Sequence, residues 1–287
     1  MTIPESRKMI INEISGIYDP SEAVNIAVLV IEFITGLNRS AQLAERGKEL
    51  SPKENDLLQD TVKRLRLYEP IQYITSISWF AGMQLQVNSA VLIPRPETEE
   101  LVEWILASLE NTNPGDQQVA LLDIGTGSGC IPIALKKRNP AVSVTGIDNS
   151  EKALQVAKKN AADQQVQVEL IHLDFLDETV WDQLPVFDIL VSNPPYIPLQ
   201  ERATLHRNVL DHEPHNALFV ADDNPLIFYQ AIAAFAKKHL SEGGEIYLEI
   251  HENTGKEVLQ FFQSQGYQDR ELKKDMQGRD RMIRVLK

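Results

Sequence analysis

The sequence predicts an α/β protein: a parallel sheet with helices on both faces, preceded by a small helical bundle and a β-hairpin linker. Two observations carry this. From Val119 onward, strand-like and helix-like segments alternate at the spacing of βαβ units, whose right-handed crossovers make neighbouring strands parallel. Before residue 76, apolar residues recur at helical spacing behind recognisable helix starts.

Residues 1–75 read as the helical bundle. Asp19-Pro20-Ser21-Glu22 and Ser51-Pro52-Lys53-Glu54 each place a capping residue, a first-turn proline and a glutamate at the third helical position. Behind them run Val24, Ala27, Val28 and Ile31, then Leu57, Leu58, Val62 and Leu65, with Lys53, Glu54, Lys63 and Arg64 on the outer faces. Residues 76–95 change texture: Ile77, Trp79, Phe80, Leu85, Val87, Val91 and Leu92 are strand-type, and Gly82 near the middle suggests a hairpin. The prolines and acidic cluster of Ile93 to Glu100 open a helix that continues through Leu101, Val102, Ile105 and Leu106. Residues 111–118 are a polar connection.

The domain at 96–287 holds the alternation. Strand-like runs are Val119–Ile124, Val142–Ile147, Val166–Ile171, Phe187–Val191 and Glu245–Ile250. Helix-like segments begin near Cys130, Ser150, Pro225 and Thr254. Tyr267–Leu272 and Met282–Leu286 suit a closing hairpin.

Composition narrows the function. A 43% hydrophobic, 24% charged chain of 287 residues can bury a real core. Its net charge of −13 argues against a surface made for nucleic acid or anionic membranes. The single Cys130 excludes an internal disulfide and a cysteine-rich zinc site. At a helix start its thiol could be acidified; packing beneath the loop is the plainer role. The N-terminus shows no basic-then-apolar signal pattern, and the run from Ile26 to Ile34 is interrupted by Glu32 and too short to span a bilayer. A cytoplasmic monomer with no metal, direct nucleic-acid or membrane partner is expected.

Leu121-Leu122-Asp123-Ile124-Gly125-Thr126-Gly127-Ser128-Gly129 is a strand entering a glycine turn that opens a helix. A dinucleotide fingerprint would place its third glycine at position 130, where this chain has Cys130. The spacing fits instead the Asp-x-Gly-x-Gly-x-Gly loop of S-adenosylmethionine-dependent methyltransferases. Asp148 ends the second strand, where an acid can accept from both ribose hydroxyls; its plain reading is a cap for the helix at Ser150. Phe175 ends the third, placed for an adenine face or merely packed in the core.

Asn193-Pro194-Pro195-Tyr196 follows a buried-strand pattern. A planar NH2 group on an sp2 carbon is a poor nucleophile, so alkylating it needs two acceptors for its N–H groups and a flat surface to fix its plane. The Asn193 side-chain carbonyl, the Pro194 main-chain carbonyl and the Tyr196 ring can supply these, on a backbone stiffened by two prolines. The plain reading of Asn-Pro is a turn.

These motifs together resemble the HemK/PrmC-type protein-(glutamine-N5) methyltransferases, over nearly the whole length. Glu69-Pro70-Ile71-Gln72-Tyr73-Ile74-Thr75 is similar to the family's segment leading out of its helical domain. Leu92-Ile93-Pro94-Arg95-Pro96-Glu97-Thr98-Glu99 is similar to its hallmark before the catalytic domain, and Glu213-Pro214 with Ala217-Leu218 to a segment downstream. The resemblance implies a Rossmann-like class I methyltransferase with a mostly parallel seven-stranded sheet and a helical substrate-recognition domain. It implies S-adenosyl-L-methionine as methyl donor, S-adenosyl-L-homocysteine as product, and the Gly-Gly-Gln glutamine of class I peptide chain release factors as acceptor. Cofactor contacts carry over to Gly125, Thr126, Gly127, Ser128, Gly129, Asp148, Phe175 and Asn193, and substrate contacts to Asn193, Pro194, Pro195 and Tyr196. Asn193, Pro194 and Tyr196 would be catalytic. Two departures stand out: Ser76 replaces a common linker glycine, and Phe175 stands where tryptophan is frequent. A relative that methylates a ribosomal-protein glutamine shares the Asn-Pro-Pro-Tyr loop but tends to differ at Arg-Pro-Glu-Thr-Glu, which favours the release-factor reading.

Three rivals are weaker. Methylation of exocyclic nucleobase amines poses the same chemistry but needs a basic face or an added recognition domain; Lys136-Lys137-Arg138 and Lys273-Lys274 are poor substitutes. A binding module that kept the fold would be expected to have lost the loop or the acid. His212 and His215 form a metal pair only if further ligands lie nearby.

Overall fold

Caps set the helix boundaries of the N-terminal unit in the computed structural model, which describes residues 1–111 and 118–287. Its helices are α1 (Ile3–Ile14), α2 (Pro20–Thr35), α3 (Arg39–Ala44), α4 (Pro52–Arg66) and α5 (Ile71–Thr75). Asp19 accepts from the N–H groups of Ser21 and Glu22, and Ser51 with Glu54 forms a reciprocal capping box. Both satisfy donors that a first helical turn leaves open. Inner faces join Ile10, Ile14, Ala27, Ile31, Leu58 and Leu65 in one core. Val24 and Leu57, expected on those faces, are exposed at 37% and 38%. An apolar helical stripe is wider than its buried centre, and these two stand at its rim.

This unit comprises Met1–Ile77 together with Leu205–His212, a segment that arrives from much later in the chain. His206 Nε2 lies 3.1 Å from the Ile17 carbonyl and His212 Nε2 lies 2.9 Å from that of Leu67. Arg207 covers the Tyr68 ring at 4.1 Å. Ser76, where the linker glycine is replaced, ends α5 in the left-handed region at φ 59°.

The second unit spans Ser78–Thr204 and Glu213–Lys287. The hairpin pairs β1 (Ile77–Phe80) with β2 (Met83–Gln86), turning through Ala81 and Gly82 at φ 48° and 74°. Then follow α6 (Pro96–Asn111), β3 (Ala120–Ile124), α7 (Cys130–Arg138), β4 (Ser143–Asp148), α8 (Glu151–Asp163), β5 (Glu169–His172) and β6 (Phe187–Ser192). The remainder is β7 (Ile197–Pro198), α9 (Arg207–His212, within the first unit), β8 (Phe219–Val220), α10 (Ile227–His239), β9 (Leu240–Glu249), α11 (Gly255–Ser264), β10 (Arg270–Lys274) and β11 (Asp280–Leu286). The connection expected at 111–118 lies, for residues 112–117, outside the described residues.

The main sheet has seven strands in the order β10-β11-β9-β6-β3-β4-β5. Neighbours from β9 to β5 pair parallel, and β11 runs antiparallel to β9 and β10. Leu122, Ile124, Leu190 and Ile246 pack on one face with Ile232 and Phe235 of α10. Leu121, Ile189, Val191 and Tyr247 pack on the other with Val102 and Ile105 of α6. Cover on both faces explains why these strands read as nearly continuous apolar runs. From β3 the chain adds β4 and β5 on one side, then β6 and β9 on the other. Such a reversal opens a crevice at the carboxyl ends of the strands. Among the described residues, no helix is long and apolar enough to cross a membrane.

Candidate active site

The glycine turn after β3 is anchored to the end of β4. Gly125, Gly127 and Gly129 take φ values of 78°, 54° and 79°, which side chains rarely tolerate. The Ile147 carbonyl accepts from the N–H groups of Gly125 and Thr126, each at 2.9 Å. Asp148 Oδ2 accepts from Gly127 N–H at 2.8 Å, and its Oδ1 from Ser150 N–H at 2.8 Å. Ser150 caps α8 with its own hydroxyl. Asp148 therefore ties two loops together, and it also lines the cleft above them. Burial pushes its carboxyl above the ordinary range, with the Ser150 and Gly127 N–H groups pulling it back.

The three glycines have different reasons to be glycine. A Cβ on Gly125 or Gly127 would enter open space, and both residues line the cleft. A Cβ on Gly129 would stand 2.9 Å from Ile133 Cδ1 and 3.1 Å from Ala157 Cβ. Gly129 thus lets α7 approach α8 and lies off the cleft lining. Thr126 and Ser128 are buried and reach the lining. Thr126 folds over Gly146, where a Cβ would fall 2.8 Å from its Oγ1.

The cleft encloses about 1000 Å³ of empty space including its open mouth. Phe175 reaches it from a core position: it is 5% exposed and packs against Trp181 and Phe235, with ring centroids 5.5 Å and 5.3 Å away. Asn193, Pro194 and Pro195, after β6, line the facing wall. Tyr196 does not. Its ring packs on the core and meets His251 edge-on at 6.0 Å, while its hydroxyl donates to Glu249 Oε1 at 3.2 Å. Desolvation and the Glu249 charge push the phenol well above its usual range, so it stays neutral.

A third wall was not anticipated as part of the site. Leu92, Pro94, Arg95 and Thr98 line it, joined by Asn216 and Phe228. Glu213, 4% exposed, holds this wall in place by accepting from Arg95 Nη2 at 2.5 Å and Ile93 N–H at 3.1 Å. Thr98 lies deeper: its Oγ1 donates to Glu249 Oε2 at 2.7 Å and receives Asn193 Nδ2 at 3.1 Å. Glu249 is 1% exposed, and desolvation raises its pKa while Thr98 and Arg281 hold it down.

Asp123 is fully buried beneath the loop. Desolvation pushes its carboxyl up to about 7; the Thr126 hydroxyl is close enough to oppose this, yet neither carboxyl oxygen has a partner in hydrogen-bond geometry. Cys130 keeps some exposure, but its thiol is desolvated beside Asp123 and pushed up to about 12, the opposite of an acidified thiol. Among the described residues, no three of His, Cys, Asp and Glu gather as metal ligands. His212 is engaged at Leu67, and the His215 ring packs edge-on against Phe219.

A parallel sheet that brings a glycine turn, a strand-end carboxylate and an Asn-Pro-Pro loop to one crevice defines a class I methyltransferase. Residues 102–218 match the family described as Methyltransferase small domain, and residues 11–75 match the PrmC N-terminal domain. The release factor glutamine methyltransferase of Flavobacterium psychrophilum is 40% identical over 291 residues, covering 99% of each chain. That of Lactococcus lactis is 42% identical and covers 87% of this chain and 89% of its own. Among solved structures, the N-terminal domain of human METTL16 in complex with SAH aligns with a TM-score of 0.51. It is 14% identical over 71% of this chain and 75% of that one, a likeness of fold alone. The chain belongs to the release factor glutamine methyltransferase family.

Proposed function

We propose that this chain transfers a methyl group from S-adenosyl-L-methionine to the side-chain amide nitrogen of the glutamine in the Gly-Gly-Gln motif of class I peptide chain release factors. One observation carries the reading: Asn193 and Pro194 line the same cleft as the glycine turn and Asp148, so an amide-holding edge faces a nucleoside-holding loop. The residues fit the donor. Open space over Gly125 and Gly127 admits close backbone approach. Each Asp148 oxygen gives one lone pair to a backbone N–H and keeps another for a ribose hydroxyl. Phe175 offers adenine an aromatic contact.

When bound, S-adenosyl-L-methionine supplies an electrophilic methyl carbon on a sulfonium, a good leaving group, and S-adenosyl-L-homocysteine remains. The protein's part is alignment. The Asn193 and Pro194 carbonyl oxygens accept from the glutamine NH2 group, turn its nitrogen toward the methyl carbon, and stabilise the positive charge that grows on nitrogen until it releases one proton to water. Such alignment is worth up to roughly 7–11 kcal/mol in favourable systems. Pro195 stiffens the loop. Tyr196 anchors the end of the loop on Glu249. The helical unit supplies the release-factor recognition surface. The enzyme works as a cytoplasmic monomer, and its net charge of −13 supports a surface without direct nucleic-acid or anionic-membrane contact.

Mass spectrometry of release factor incubated with this chain and donor tests the proposal. One added methyl on the Gly-Gly-Gln glutamine is expected, and Asn193→Ala should slow its appearance by on the order of a hundredfold. Label appearing in RNA or DNA, with release factor unchanged, overturns it.

A further inference from the structure

We propose that Thr98 and Glu249 are positioning residues that decide which end of the Asn193 amide faces the substrate. The inference rests on Asn193 acting as an acceptor for the glutamine NH2 group. A side-chain amide has an oxygen and an NH2 group of nearly equal shape, and its terminal torsion is broad and two-fold. The neighbouring prolines stiffen the backbone but do not choose between the two ends. The wrong end would present N–H to N–H and hold no substrate.

The choice is made by proton counting. A hydroxyl carries one proton, and an ionised carboxylate only accepts. Glu249 Oε2, 2.7 Å away, takes the proton of Thr98. Only lone pairs are then left on Thr98 Oγ1 for the Asn193 side chain, so the end 3.1 Å away must be Nδ2. Oδ1 is the other branch of the same planar amide and points away from Thr98, on a residue that lines the cleft. Flipping the amide would set two oxygens against each other with no proton between them.

Glu249 also receives the Tyr196 hydroxyl on its second oxygen. One buried carboxylate therefore grips both ends of Asn193-Pro194-Pro195-Tyr196, through Thr98 at the first residue and directly at the last. Desolvation works against its charge and Glu97 at the start of α6 adds to that, while the Thr98 hydroxyl, Arg281 on β11 and the Tyr196 hydroxyl favour the charged form. The carboxylate ends the interior strand β9, so its position is set by the sheet and does not depend on the loop it orients.

Release-factor turnover and donor affinity, measured on the full chain, test this. Thr98→Val keeps the shape and removes the hydroxyl. It should lower kcat by about tenfold or more while donor Kd stays within about twofold, and Thr98→Ser should restore most of the rate. Glu249→Gln keeps the volume but can donate, which frees Thr98 to offer its proton to Oδ1; it should lower kcat in the same way. In an Asn193→Ala background, adding Thr98→Val should change nothing, because Thr98 acts only through the missing amide. Wild-type turnover in Thr98→Val, or full multiplication of the Thr98→Val and Asn193→Ala effects, would overturn the positioning role. Wild-type turnover in Asn193→Ala would instead bring down the transfer reading, and this inference with it.

Discussion

Replacing Asp123 with asparagine would expose the cost of burying a charge beneath the cofactor loop. The residue is fully enclosed near the carboxyl end of β3, and desolvation lifts its carboxyl from an ordinary 3.8 to about 7. The folded pKa is the higher one, so between these values the native state holds a proton that the unfolded chain has released. The stability attached to that proton is fully present below pH 3.8 and is lost as pH rises to about 7. At about 1.36 kcal/mol per pH unit, the loss reaches on the order of 4 kcal/mol at pH 8. Asparagine does not titrate and has no such loss.

Urea unfolding of the donor-free protein, followed by circular dichroism at pH 5 and pH 8, would read this difference. Between those values the wild type should lose about 2–3 kcal/mol more than Asp123→Asn. Titrating groups remote from Asp123 contribute alike in both proteins and cancel, as does any fixed cost of burying the amide. The slope is therefore the diagnostic. Parallel stability curves would mean that Asp123 is already satisfied or already charged at pH 5, and would refute the reasoning.

Gly129→Ala should destabilise the protein by about 2–4 kcal/mol in chemical denaturation, combining left-handed strain with a crowded α7–α8 contact. Gly125→Ala, whose Cβ meets nothing within 4 Å, should cost only the strain, about 1–2 kcal/mol, and weaken donor binding instead; equal stability losses would remove the distinction. Asp148→Ala should raise the donor Kd by the equivalent of about 1–3 kcal/mol in calorimetry, and an unchanged Kd would contradict its ribose role. Ser76→Gly should raise thermal stability by up to about 1 kcal/mol, since the left-handed strain it removes exceeds the added chain entropy; a lower Tm would show that the Ser76 side chain has a compensating contact.

The architecture was legible because its signals are local. Caps at Asp19 and Ser51 and the alternation after Val119 each concern residues close together in sequence, where periodicity and turn chemistry operate. The glycine loop and the Asn-Pro-Pro loop were legible for a further reason: few other jobs need those residue types in that order. What sequence could not supply is the pairing of distant side chains. Glu213 was noted only as part of a familiar segment, and nothing in its neighbourhood announces Arg95, 118 residues earlier. The excursion of Leu205–His212 to the helical unit was hidden for the same reason. For Tyr196 the residue type suggested a stacking surface, but nothing nearby in sequence announces that its hydroxyl donates to the buried Glu249, 53 residues later.

One signal for the missed residues was nevertheless in view. Parallel strands covered on both faces tolerate few charges, yet Asp123 interrupts Leu121-Leu122-Ile124, and Glu249 stands between Leu248 and Ile250. Both carboxyls are almost wholly buried and shifted upward by desolvation, so neither helps the sheet that carries it. Both sit toward the carboxyl ends of neighbouring-but-one strands, β3 and β9, on either side of β6. That is the edge where the strand order reverses and a crevice must open. A charge that breaks the pattern of a central strand at that edge is costly where it stands, and local consistency yields most often where a site demands it. On that argument Glu249 could have been picked out beside Asn193 from the apolar pattern alone, before any partner was known.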